Sequence, residues 1–344
     1  MQVKQIKMLE PLFPNRSTGL INGEASGVLN WDDIAYPNLY RVYEELSKNY
    51  WLPEEVAMAK DIKDYKSMTP EDKTAFELII GLLATLDSPQ TRFISQVASS
   101  FSDVAVQTNM AIVGQQEAIH NQSYSYILSS ITNYDEQKRI FDEARTHPTV
   151  VKRNKPIMDA YDTYFKTREL SDLLKALVQS SILEGINFYS GFAYFYNLAR
   201  QQRMVGTSSV IAFINRDELA HSKFISELIQ MILAEHPEEN TEELINYTVN
   251  SLKHAVELET DWSKEVLANV TGITLSEMEG YVRYRANKMA SMLGLKPIYP
   301  GYSDNPMRWI KAYEDNLNGT KTDFFEEREK NYKKVSDNNG FDEL

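Results

Sequence analysis

The chain is 344 residues long, with 20 Tyr, 14 Phe, no Cys and a formal charge of −13. The absence of cysteine excludes disulfides, thiolate metal sites, iron–sulfur clusters and thiol catalysis within the chain, and the acidic balance excludes the basic stripe of a nucleic-acid surface. No apolar run reaches the roughly 18 residues of a membrane-spanning helix, and Met1-Gln-Val-Lys-Gln-Ile-Lys7 lacks a signal-peptide core, so a cytoplasmic protein with no nucleic-acid or membrane partner is expected.

Residues 1–30 are punctuated by Pro11, Pro14, Gly19, Gly23 and Gly27 and hold no helical period, which predicts an arm lying on the body or on a second subunit. Tyr36 to Tyr50 reads as a first helix, and Pro53-Glu-Glu55 suits the first turn of the next. Thr69-Pro70-Glu-Asp72 has the form of an N-cap, a proline and two acids. It opens a helix with Leu78, Ile79, Leu82, Leu83, Leu86 and Asp87, which Pro89 should kink or end. A helix over about 103–131 follows, then a break marked by Asn133, Asp135 and His147-Pro148. Residues 168–201 read as one long apolar helix that holds Glu184 and is dense in aromatics from Phe188 to Tyr196. The next helix spans 207–234 and is closed by His236-Pro237; two more are expected at about 241–269 and 274–293. Pro297, Pro300, Gly301, Pro306 and Gly319 make the following stretch irregular. Residues 323–344 are charged and aperiodic, a tail flexible until it docks. No strand pair or short repeat is visible, so the expected fold is all-α with a body over residues 31–322.

The most informative stretch is Glu117-Ala-Ile-His120-Asn-Gln-Ser-Tyr124. Spacings of three and four put a carboxylate, an imidazole and a phenol on one helix face. One Glu-x-x-His is a weak signal, but it recurs as Glu218-Leu-Ala-His221. Each copy is preceded by an acid in an apolar helix: Asp87 lies 30 residues before Glu117, and Glu184 lies 34 before Glu218. That gap suits a long helix turning back beside the next. Two half-sites of acid plus Glu-x-x-His on four helices is the arrangement of ferritin-like bundles with a dinuclear iron or manganese centre in the core. Carboxylate and imidazole serve both metals, and two divalent ions would offset four buried carboxylates beside neutral histidines.

Each of these residues also has a plainer structural reading. Asp87 and Glu184 could face solvent or a cation such as Arg92 or Arg216, and Tyr124 could be one more core tyrosine. Trp51 could be plain packing, and Asp217 either a surface acid or a partner orienting a ligand histidine. His147, His236 and His254 lack the spacing, and two of them precede proline.

Taken together, the ordered pieces Asn49-Tyr-Trp51-Leu-Pro-Glu-Glu55, Leu86-Asp87-Ser88, Glu117-Ala-Ile-His120 with Ser123-Tyr124, Leu183-Glu184-Gly-Ile-Asn-Phe188-Tyr189, Arg216-Asp217-Glu218-Leu-Ala-His221 and Tyr332 resemble the small, radical-generating subunit of class I ribonucleotide reductase. The resemblance runs along nearly the whole chain. It implies that Asp87, Glu117 and His120 hold the metal nearer the tyrosine, that Glu184, Glu218 and His221 hold the other, and that Glu117 and Glu218 bridge. It further implies a tyrosyl radical on Tyr124, an apolar pocket of Phe188, Phe192 and Ile214 around it, and radical transfer through Trp51 and Asp217, with His120, and Tyr332. The dinuclear centre would be Fe2, or Mn2, or mixed Mn/Fe.

Implied partners are the large catalytic subunit, on which residues 323–344 would dock, a second copy in a homodimer, and a flavodoxin-like activator if manganese is used. The reaction implied is the reduction of ribonucleotides to deoxyribonucleotides, run only with the large subunit, which also fits a chain without cysteine. Phe188-Tyr-Ser-Gly-Phe192 is similar to the manganese-using subgroup, whereas Leu20-Ile-Asn-Gly-Glu24 and Asn30-Trp-Asp-Asp33 are similar to others. The competing readings are a ferritin-like dimetal oxidase or hydroxylase with an open substrate pocket, and a metal-storage bundle.

Overall fold

Side-chain caps start five of the eleven described α-helices, and one of them, Asn133, looks like a breaker in the sequence. In the computed structural model, which describes residues 1–3 and 12–313, the helices are α1 (Asn38–Lys48), α2 (Ala59–Lys66), α3 (Pro70–Val97), α4 (Val104–Ile131), α5 (Tyr134–Thr146), α6 (Pro148–Thr167), α7 (Leu170–Ile182), α8 (Tyr189–Arg200), α9 (Val205–Glu235), α10 (Glu242–Val266) and α11 (Leu275–Met292). Thr69, Asp103, Asn133, Thr241 and Thr274 each accept a hydrogen bond from a backbone N–H three residues on, and Thr274 with Glu277 completes a capping box. Among the described residues the β-pairing is one isolated bridge, Gln2 with Glu169, and no helix is long and apolar enough to cross a membrane.

The fold is the expected all-α, ferritin-like bundle, with corrections in detail. The stretch read as a break after 131 holds two helices: Asn133 caps α5, and Pro148 sits in the first turn of α6. There proline costs no hydrogen bond, because that N–H has no partner in a helix anyway. Pro53-Glu55 forms only a single 3-10 turn, and α2 begins at Ala59. Pro89 does not end α3, which runs on to Val97. An internal proline costs a helix about 3 kcal/mol. Phe93, Ile94 and Val97 beyond it are buried, and each such side chain recovers about 1.5–3 kcal/mol. The N-terminal arm packs on the body where it is described: Leu20 is buried, its N–H donates to Glu235, and its carbonyl accepts from Ser102 N–H at 2.7 Å. The tail 323–344 lies outside the described residues.

The start of α9 is capped from another helix. Met204, ahead of it, is left-handed (φ 50°) and supplies no side-chain cap. Asp61 of α2 does so instead, accepting from Gly206 N–H at 3.0 Å and from Thr207 N–H at 2.6 Å, while Asp64 accepts from Met204 N–H at 2.9 Å. The helix carrying Glu218 and His221 is thus anchored by α2.

The long helix expected over 168–201 is interrupted by a π-turn, Leu183–Asn187, which contains Glu184. Such a turn widens the helix and weakens its own hydrogen bonding. Two arginines from neighbouring helices take up its carbonyls: Arg285 of α11 donates to Gly185 at 3.0 Å, and Arg153 of α6 donates to Asn187. At Gly185 a Cβ would collide with Met289 Sδ, so only glycine lets α11 come this close. Arg153 is also ion-paired with Glu259 of α10, both side chains having 0% exposure, and Glu259 accepts from Ser190 Oγ at 2.7 Å.

Removing one member of such a buried pair strands the other charge. Arg153→Met is therefore expected to destabilise the metal-free protein by about 3–5 kcal/mol, and Arg153→Met/Glu259→Leu to recover most of that loss. Urea unfolding of the three proteins checks it; equal stability of parent and single variant would contradict it.

Candidate metal centre

Asp87 comes from α3, Glu117 and His120 from α4, Glu184 from the π-turn, and Glu218 and His221 from α9. All six have 0% exposure. The structure brings them together as two overlapping groups: Asp87, Glu117, His120 and Glu218 in one, and Glu117, Glu184, Glu218 and His221 in the other. Within each group one candidate ligand atom per residue lies within 4.8 Å of the rest. Glu117 and Glu218 belong to both, so they have the placement of bridges.

Both histidines point Nδ1 inward. His120 Nδ1 is 3.0 Å from Glu218 Oε1, and His221 Nδ1 is 3.1 Å from Glu117 Oε1 and 3.2 Å from Glu218 Oε2. Both oxygens of Asp87, both of Glu117, one each of Glu184 and Glu218, and His120 Nδ1 are buried without a hydrogen-bond partner. Unsatisfied buried carboxylate oxygens are expensive, and here they converge on shared space. A pair of divalent cations bound by oxygen and imidazole nitrogen fits this donor set.

Without metal, the cluster has to hold protons. Burial, then the charges of Glu117 and Glu218, push the Asp87 carboxyl well above its ordinary range. Burial and the same two-glutamate repulsion, from Glu218 and Glu117, do likewise to Glu184. For Glu218 burial acts upward, but hydrogen bonding with Glu184 and the two histidines outweighs it and holds the group below its usual value. Burial opposes protonation of His120 and His221, yet the surrounding carboxylates raise both well above the ordinary imidazole value.

The neighbours of the cluster divide by side. Tyr124, fully buried one turn beyond His120, faces Asp87 without closing an ordinary hydrogen bond; burial first, then the Asp87 charge, raise its phenol well above its ordinary value. Phe188, Phe192 and Ile214 are fully buried in the same continuous core, with Phe188 and Phe192 stacked at 5.8 Å. Beyond His120, Asp217 Oδ2 lies 3.3 Å from the ring Nε2 and accepts from Trp51 Nε1 at 2.7 Å. Arg216 donates to the other Asp217 oxygen. Asp217 is thus no surface acid, and Trp51 is 3% exposed. Tyr332 lies outside the described residues.

Sequence reasoning missed the amides. Gln90 donates to Glu184 and, at 2.8 Å, to Ser180 Oγ, while its own oxygen accepts from Tyr161 at 2.6 Å. Gln116 Oε1 faces His221 Nε2 at 2.9 Å. Gln90 is three residues beyond Asp87 on the same helix face, a spacing that could have flagged it; Gln116 merely precedes Glu117. A cavity of about 590 Å³ between α6, α7 and α10 is lined by residues such as Arg153, Asn187 and Tyr247 but by none of the six.

Residues 28–306 match the family model described as ribonucleotide reductase, small chain. A ribonucleoside-diphosphate reductase subunit beta from Halalkalibacterium halodurans is 42% identical over 100% of this chain and 99% of its own length. One from Treponema pallidum is 32% identical over 92% of this chain and 91% of its own. The solved ribonucleotide reductase R2 subunit from Clostridium botulinum superposes with a TM-score of 0.88 at 33% identity, covering 91% of this chain and 99% of that one.

The protons that the metal-free protein would hold at these ligand atoms give a direct check on the site. Adding two divalent ions per chain should displace on the order of two or more protons, because metal and proton compete for the same ligand atoms. Calorimetric binding enthalpies measured in buffers of different ionisation heat count them; binding of two ions with no proton release would contradict the assignment.

Proposed function

We propose that this chain, which belongs to the ribonucleotide reductase small-chain family, stores its oxidant as a radical on Tyr124. It is the beta subunit of a class I ribonucleoside-diphosphate reductase, a ferritin-like subunit that works with a large subunit. One observation carries the proposal: a fully buried tyrosine faces an unsatisfied carboxylate at the edge of a cluster built to take two cations.

In this reading Asp87, Glu117 and His120 would hold the ion nearer the phenol and Glu184, Glu218 and His221 the other, with Glu117 and Glu218 placed to serve both. Two iron ions held there, or two manganese ions or one of each, would supply one-electron oxidising power. A flavodoxin-like activator belongs to the reading only in the manganese case. The rest is done by the chain. Tyr124 gives up an electron, and its proton leaves toward Asp87, the polar group it faces. Phe188, Phe192 and Ile214 keep water and reductants from the phenoxyl oxygen. Asp217 takes the Trp51 indole N–H and lies against the His120 ring, so Trp51 is joined to the centre by hydrogen bonds; onward transfer from Trp51 is assigned to Tyr332. Docking on the large subunit is assigned to residues 323–344.

The surface of α4 supports reading the protein as a homodimer. This helix has no charged residue except buried Glu117, although its outer face exposes Ala111, Gln115, Ala118, Gln122, Ser125 and Ser129. In a chain that is 25% charged, 28 residues of helix without an exposed charge suit a covered surface.

Low-temperature EPR with metal analysis on one sample tests the radical. Metal-free protein is loaded with Fe(II) or Mn(II) and exposed to oxygen, with a reduced flavodoxin added in a further Mn(II) arm. A tyrosyl signal at about two metals per chain, absent from Tyr124→Phe while metal binding persists, is expected. Full activity of Tyr124→Phe with the large subunit would overturn the assignment. Trp51→Phe should keep the radical signal and lose ribonucleotide reduction. Ala118→Arg should shift the protein from dimer to monomer in sedimentation; an unchanged mass would remove α4 from the interface.

A further inference from the structure

The two histidines are oriented by different chemistry, and this points to a positioning residue outside the metal-ligand set. His120 Nε2 meets a carboxylate, Asp217, at 3.3 Å. His221 Nε2 meets a neutral amide, the Oε1 of Gln116, at 2.9 Å. Oxygen and nitrogen of an amide can be exchanged by a flip, so the identity of the atom facing His221 needs an independent anchor. That anchor is the Leu46 carbonyl of α1, which lies 3.1 Å from Gln116 Nε2. A backbone carbonyl accepts and never donates. The flipped amide would put oxygen against oxygen there, and would turn its NH2 toward His221.

The consequence passes along the chain of bonds. The Leu46 carbonyl holds the NH2 of Gln116. Its Oε1 is left as an acceptor toward His221, so Nε2 carries the imidazole N–H. A neutral imidazole has one N–H, and Nδ1 keeps its lone pair, aimed at Glu117, Glu184 and Glu218. The anchor itself is rigid. Leu46 is 1% exposed, and a second amide seven residues back, Asn109, donates in the same way to Leu39 of α1 at 3.0 Å. A helix that contributes no metal-ligand candidate is thereby fixed to the helix that carries two.

We propose that Gln116, held by the Leu46 carbonyl, is a positioning residue that sets the tautomer of His221 and so determines how tightly the Glu184–His221 half of the centre binds its ion. The proposal rests on the dimetal reading above. Partners of this kind are worth about 10–100-fold in metal affinity. An amide strengthens the imidazole as a donor less than a carboxylate does, so the two halves are unequal by construction.

Mn(II) titration of the metal-free protein, with free ion followed by EPR and heat by calorimetry, tests it on three proteins. The parent should take two ions; failure to do so would sink the dimetal reading and, with it, the role proposed for Gln116. Gln116→Leu should weaken one ion about 10–100-fold and leave the other near parental affinity. Gln116→Glu, which as the protonated acid donates to the Leu46 carbonyl and retains an acceptor toward His221, should keep both. Two parental affinities in Gln116→Leu would overturn the proposal. So would equal losses of both ions, which mark general loosening, or a Gln116→Glu variant as impaired as Gln116→Leu. If Gln116→Leu does not fold, Gln116→Glu alone decides: loss of one ion there refutes tautomer control by an acceptor.

Discussion

Four carboxylates and two imidazoles share one dry space, and the rest of the structure is arranged around that electrostatic constraint. Elsewhere in the core, carboxylates have their donors. Asp61 receives the N–H groups that open α9, Glu259 receives Arg153 and Ser190, and Asp217 receives Trp51 and Arg216. Asp87 and Glu117 have none. The distinction separates carboxylates that serve folding from carboxylates that wait for a cation. It also places the cost: the metal-free protein carries protons on groups that metal would replace, so affinity and pH are linked from the start.

The surroundings of the cluster are asymmetric in a useful way. On the His120 side lie a carboxylate, a guanidinium and an indole, joined through Asp217. On the His221 side lie two amides, Gln116 and Gln90, with a hydroxyl from Tyr161 behind the latter. Amides fix geometry without taking up a proton. The cluster therefore has charged groups and an indole on one flank and neutral amides on the other, an asymmetry that suits the one-directional release proposed above.

The sequence made the six candidate ligands legible because helical periodicity turns spacing into direction: Glu-x-x-His twice, each with an acid one helix earlier, leaves few other arrangements. Trp51 and Asp217 came through resemblance, and the structure joins them by a hydrogen bond. What stayed hidden depends on contacts between distant segments. The helices over 134–146 and 148–167 were masked because Asn133 and Pro148 signal a start as readily as a break. The passage of α3 through Pro89 depends on what Phe93, Ile94 and Val97 bury themselves against. Gln116 acquires its role only from a carbonyl 70 residues away in the chain, and the π-turn only from Arg153, Arg285 and Met289 on two other helices. The roles assigned to Tyr332 and to docking of the tail rest on resemblance alone, and both lie outside the described residues.

The π-turn at Leu183–Asn187 also bears on how such a centre could be copied. A π-turn is a regular helix with one residue too many. One residue is about 100° of rotation, since a turn takes 3.6. Every side chain of α8, including Phe192 and the aromatics down to Tyr196, is therefore phased relative to Ile182 and the rest of α7 by that single surplus. A bundle drawn with ideal helices could match the ligand on one side of the turn or the aromatic wall on the other, but not both. The irregularity is a part of the blueprint, and a straightened version of this scaffold would be a different protein.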